Sequence, residues 1–98
     1  MTITKKQDGS KLTVALEGRL DTTTAPQLEQ ELKQSLAGVT DFTIDMAQLA
    51  YISSAGLRVL LAAQKTMNKQ GEMVLINVNE EIMDVFDLTG FSDILTIA

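Results

Sequence analysis

The sequence predicts an α/β fold: a small, mixed, mostly parallel β-sheet with an N-terminal hairpin and helices packed on it, in one domain over residues 1–98. Three observations carry that expectation. Segments in which apolar residues alternate take turns with segments of helical periodicity, in the order β-β-α-β-α-β-α-β. Asp8-Gly9 separates the first two strand-like runs, which is a hairpin signal. Strands that alternate with single helices pair in parallel through right-handed crossovers.

The first two runs are TITKK (2–6) and KLTVALEG (11–18), joined by Gln7-Asp8-Gly9-Ser10. Leu12, Val14 and Leu16 alternate with Thr13, Ala15 and Glu17, which suits a strand with one buried face. After GRLD the period changes. Thr24-Ala25-Pro26-Gln27 reads as a capping box with proline in the first turn, opening a helix over about 25–37. Ala25, Leu28, Leu32 and Leu36 share one face of it, and Gly38 is the natural stop.

DFTIDM (41–46) reads as the third strand and AQLA (47–50) as a short turn. From Ala55 a long helix presents Leu57, Leu60, Leu61 and Met67 to the core, with Arg58, Lys65, Asn68 and Lys69 outward, and ends at Gly71. EMVLINV (72–78) is almost continuously apolar, the pattern of a strand covered on both faces. Asn79 caps a third helix with an Ile82, Val85, Phe86 stripe that stops at Gly90, and DILTIA (93–98) offers a last short strand. The methionines within these elements, Met46, Met67, Met73 and Met83, read as core or gap-filling residues.

Composition removes several function classes. Eight basic and 13 acidic residues leave a net charge of −5, with no basic cluster beyond Lys5-Lys6. Neither a nucleic acid nor an anionic membrane surface is an expected partner. With no histidine and no cysteine, Ser-His-Asp and Cys-His catalysis and the usual zinc sites are impossible, so the expectation is a protein that is not an enzyme. No charged leader precedes an apolar run, and the longest such run is Val59–Ala63, so a cytoplasmic location is expected.

The informative stretch is YISSAGL (51–57). Ser53 and Ser54 stand where a strand-following loop becomes a helix, and serine is a favoured N-cap. Capping does not explain four successive small residues, Ser53-Ser54-Ala55-Gly56, nor a glycine that costs about 1 kcal/mol relative to alanine within a helix. A helix N-terminus also offers free N–H groups and partial positive charge to an anion, so a phosphoryl group on either serine would be well placed. Gly56 would then give clearance for an incoming active site.

The segment DMAQLAYISSAGLRVLLAAQK resembles the signature of the STAS domain, specifically of bacterial anti-sigma factor antagonists. LEGRLDTTTAPQLEQEL is similar to the family's second-strand exit and first helix, and GEMVLINVNEEIMDVFDLTGFSDIL to its last strand–helix–strand unit. The resemblance implies a partner switch. The unphosphorylated protein binds an anti-sigma factor that is also a serine kinase of the histidine-kinase-like ATPase fold, and so frees a sigma factor. Phosphorylation ends that complex, and a PP2C-type phosphatase restores it. By position the phosphoacceptor is Ser54, followed by Ala55 and Gly56. Many relatives have aspartate where this chain has Ser53, which makes Ser53 the second candidate acceptor. ATP and Mg²⁺ belong to the kinase, so no cofactor and no metal are expected on this chain, which is expected to be a monomer when free. An alternative output of the same switch is a phosphatase, a secretion system or another signalling complex.

The remaining candidates surround that serine, and Asp21, Thr22, Ser53, Ala55, Gly56 and Arg58 are the expected partner contacts. Asp21, at the end of the second strand, matches an acidic position of the family and is a candidate partner contact or a turn-capping carboxylate. Thr22 belongs to the same surface, and one of Thr22, Thr23 and Thr24 caps the helix. Arg58 would meet a partner carboxylate, steady a phosphoserine, or stand as an ordinary exposed helix charge. Asp21 and Asp45 as a carboxylate pair would suggest Mg²⁺, against which stands the simpler reading of a solvated strand residue.

Overall fold

A computed structural model describes all residues 1–98. Strand β1 (Thr2–Asp8) and strand β2 (Lys11–Leu20) pair antiparallel, closing at Asp8↔Lys11 around Gly9-Ser10. Helix α1 (Ala25–Ser35) returns the chain to strand β3 (Asp41–Ile52), and helix α2 (Ser54–Asn68) to strand β4 (Glu72–Ile76). Helix α3 (Glu80–Thr89) and a 3-10 turn at Phe91–Asp93 complete the chain. The sheet order is β1-β2-β3-β4, with β2, β3 and β4 parallel.

Each crossover steps to the next strand in the same direction, so right-handedness puts the connecting helices on one side of the sheet. Burial follows that rule. Leu12, Val14 and Leu16, Phe42, Ile44 and Met46, and Met73 and Leu75 point into one core with Leu28, Leu32, Leu60, Met67 and Phe86. The alternate residues of the strands remain half-buried or exposed.

Several expectations change. AQLA is not a turn. β3 continues through it because two residues are bulged out of its pairing with β2, between Asp45 and Gln48 and between Leu49 and Tyr51. Buried positions then recur at Met46, Leu49 and Ile52, a spacing of three that disguises the strand. β4 is covered on one face only, since Val74 and Ile76 are half-buried, and it ends at Ile76. The last strand reduces to one parallel bridge, Leu75↔Ile97, with Leu95 as its buried anchor. The turn at Phe91–Asp93 takes Asp93, and the N–H groups of Ile94 and Leu95 close back on the Phe91 carbonyl at 3.0 and 2.8 Å instead of pairing with a strand.

Helix ends shift by small amounts: α1 stops at Ser35 instead of 37, and α2 begins at Ser54 instead of Ala55. The capping box of α1 does not form. Thr24 is its N-cap residue but is already in helical conformation, and its hydroxyl makes no cap bond. Met46, Met67 and Met73 are buried in the core and Met83 packs against it.

Candidate functional site

β2 and β3 end together. Leu20 stands opposite Ile52, and the last rung is Ser53 N–H donating to the Leu20 carbonyl at 2.9 Å. Beyond it each chain turns into a helix, so Asp21 and Ser53 leave adjacent parallel strands side by side at their carboxyl ends.

On the β2 side, Asp21 organises the turn. Its Oδ1 accepts from the N–H groups of Thr23 (3.0 Å) and Thr24 (3.1 Å). The Thr24 hydroxyl accepts from Asp21 N–H at 2.9 Å and donates to the Arg19 carbonyl at 2.8 Å. The Thr24 N–H, then the Thr23 N–H, the Thr24 hydroxyl and the Arg19 guanidinium hold the Asp21 carboxyl below its usual range, against a partial desolvation that acts the other way. Asp21 is thus the turn-capping carboxylate, while Thr24 takes the N-cap position of α1 without a side-chain cap bond. Thr22 is exposed at the tip of the turn.

On the β3 side, Ser53 is the N-cap of α2. It is extended (φ −102°, ψ 175°), and its Oγ accepts from Gly56 N–H at 3.4 Å. Ser54 is the first helical residue, exposed, with a hydroxyl that makes no hydrogen bond within the chain. Helix geometry leaves the first N–H groups without an intrahelical partner. The first turn of α2 contains no acidic residue to balance them. Arg58 folds back along this turn, its Nε donating to the Ser54 carbonyl at 3.4 Å. Ala55 and Arg58 face Thr22, Ala25 and Pro26 across an open depression of about 330 Å³ between the starts of α1 and α2.

Gly56 has a different reason from clearance. It is buried, and a Cβ there would lie 2.7 Å from Leu20 Cγ and 2.9 Å from Ile52 Cγ1. The glycine lets the first turn of α2 settle onto the two strand ends. Its service to the site is therefore the placement of Ser54.

Asp21 and Asp45 do not meet. Asp45 pairs with Ala15, so Asp21 lies six residues further along β2, about 20 Å away at roughly 3.3 Å per residue. Asp45 instead accepts from Asn77 Nδ2 and from Ala47 N–H, each at 3.0 Å, and these bonds lower its pKa.

Two residues of this edge escaped the sequence reading. Arg19 and Tyr51 are cross-strand partners; the guanidinium carbon lies 4.2 Å from the ring centroid, and Nε is 3.7 Å from Asp21 Oδ2. Tyr51 is 41% exposed although it is large and aromatic. An unshifted register from Ala15↔Asp45 would have put Arg19 opposite Leu49, so only the two bulges together bring Tyr51 opposite it.

Comparison with known proteins supplies the remaining finding. The family model described as STAS domain matches residues 2–98. BtrV of Bordetella bronchiseptica is 36% identical over all of this chain and 86% of its own length. The anti-sigma-B factor antagonist of Bacillus subtilis is 32% identical over 95% of this chain and 86% of its own. Among solved structures, the anti-sigma factor antagonist SpoIIAA superposes in its unphosphorylated form with a TM-score of 0.78 at 17% identity, covering 99% of this chain and 87% of that one. Its phosphorylated form, from Bacillus, gives 0.77 at 18% identity, covering 99% and 91%.

Proposed function

Because the chain belongs to the STAS domain family of bacterial anti-sigma factor antagonists, we propose that it is a partner switch whose phosphoacceptor is Ser54. The carrying observation is the start of α2: an exposed hydroxyl free of internal bonds, on a helix whose first turn carries no acidic residue. Ser53 is the weaker acceptor because its oxygen already caps Gly56 N–H and is half-buried. Unphosphorylated, the chain binds an anti-sigma factor kinase of the histidine-kinase-like ATPase fold in the cytoplasm and so frees a sigma factor.

Transfer forms a bond between Ser54 Oγ and the γ-phosphorus of the kinase's Mg²⁺-bound ATP. The bond to the bridging oxygen breaks, ADP leaves, and the serine proton passes to a base on the kinase. The phosphate adds about −1.5 to −2 charge units to a chain already at −5 and makes the complex unfavourable. A PP2C-type phosphatase restores the switch by adding water and releasing inorganic phosphate. Asp21, Thr22, Ala55 and Arg58 surround the acceptor and make the first contacts with the kinase. That SpoIIAA has been solved in both phosphorylated and unphosphorylated forms supports this reading.

The test is incubation with the host's anti-sigma factor kinases and ATP, followed by intact mass and site mapping. One added phosphate on Ser54, abolished by Ser54→Ala, is expected. Phosphate elsewhere, or none from an active kinase, would overturn the assignment. Release of a bound sigma factor from the kinase by this chain distinguishes a transcriptional output from any other.

A further inference from the structure

We infer that Arg19, stacked on Tyr51, is a recognition fork for a carboxylate on the partner that docks at Ser54, so that the partner surface extends from the start of α2 around the sheet edge. The inference rests on the partner-switch reading and specifies the chemistry of the partner's face. Arg19 is held twice, by the Tyr51 ring beneath its guanidinium and by Asp21 beside its Nε. Its two Nη groups make no hydrogen bond within the chain and face solvent from a side chain that is 62% exposed. A guanidinium fixed in this way presents a planar pair of donors that matches a carboxylate bidentately, and little rotamer freedom remains to be lost on binding.

Position argues for the same conclusion. Tyr51 precedes Ser54 by three residues, roughly 10 Å of chain at strand spacing. Arg19 and Tyr51 alternate with the buried Leu20 and Ile52 and so lie on the face away from α2. A standard interface covers about 800 Å² on each partner, a patch of roughly 16 Å radius, so a protein centred on Ser54 that wraps the ends of β2 and β3 reaches this pair. Arginine and tyrosine are also the residue types in which binding energy concentrates. A polyanionic occupant is disfavoured by the net charge of −5, whereas a single protein carboxylate fits a single fork.

Calorimetric titration of the chain with each purified anti-sigma factor kinase of the host provides the test. Arg19→Ala is expected to weaken binding about tenfold or more, and Arg19→Lys nearly as much, because lysine supplies neither the fork nor the stack. Replacing the matching partner carboxylate by its amide should add nothing further to the loss in Arg19→Ala. Arg19→Ala within twofold of wild type, full rescue by Arg19→Lys, or additive losses with every partner carboxylate would each overturn the fork. If Ser54→Asp binds like wild type while Arg19→Ala is weak, the switch reading fails and the recognition surface stands. The opposite pattern overturns the surface alone, and binding to none of the kinases overturns both.

Discussion

The starts of α2 and α3 are built alike and finished differently. Each has an extended polar N-cap whose side-chain oxygen accepts an N–H three residues on, Ser53 from Gly56 at 3.4 Å and Asn79 from Ile82 at 2.9 Å. α3 then places Glu80 and Glu81 in its first turn, so the chain's own carboxylates balance the positive end of the helix. α2 places Ser54, Ala55 and Gly56 there, with a longer cap bond and no carboxylate. One terminus is complete as folded. The other is neutral, small and open, as the proposed phosphorylation of Ser54 would require of its site.

The largest effect expected from this contrast concerns Gly56. Gly56→Val should cost roughly 3 kcal/mol, near the upper end for overpacking, because even a Cβ crowds Leu20 and Ile52. A urea midpoint that does not fall would show that the α2 terminus has room to spare. Next come the caps. Asn79→Ala should cost about 1 kcal/mol and Ser53→Ala closer to 0.5 kcal/mol, following their bond lengths; equal losses would erase the distinction between the two termini.

Ser54→Asp sharpens the comparison from the other side. It supplies the carboxylate that the first turn of α2 lacks and should raise stability by about 0.3–1 kcal/mol, while binding to the proposed kinase partner should fall. A variant that gained no stability would mean the terminus is not electrostatically open.

The smallest effect is the acid dependence of the neighbouring turn. The Asp21 pKa is lowered on folding, so its contribution is complete above its ordinary value of 3.8 and is lost as pH falls past that value through the folded one. Asp21→Asn keeps an acceptor for the Thr23 and Thr24 N–H groups but should flatten melting temperature between about pH 5 and pH 3. An unchanged pH profile would assign the acid sensitivity elsewhere, with Asp45 as the next group to replace.

Much of this molecule could be read before any coordinate. The hairpin followed from Gly9, whose φ of +61° suits the turn, and Asn79 followed from being polar just ahead of an apolar stripe. What escaped has one common cause. AQLA looked like a turn because bulges change the burial period of a strand from two to three, and a bulge belongs to the pairing of two strands. β4 looked buried on both faces because Val74 and Ile76 are apolar, yet all the connecting helices cross on the other side. The C-terminal segment looked like a strand, but the turn at Phe91–Asp93 leaves only Ile97 to bridge Leu75.

The sequence by itself determined the family and the order of elements from β1 to α3, because both rest on local pattern: apolar period, cap chemistry, and the motif at a helix start. Only the tertiary structure decided that Ser53 is the cap and Ser54 the free hydroxyl, that Gly56 is needed against Leu20 and Ile52, and that Arg19 stacks on Tyr51. These depend on the register of β2 against β3 and on the seating of α2 over their ends. Register and seating are set by packing between segments some thirty residues apart, which no local window of sequence contains.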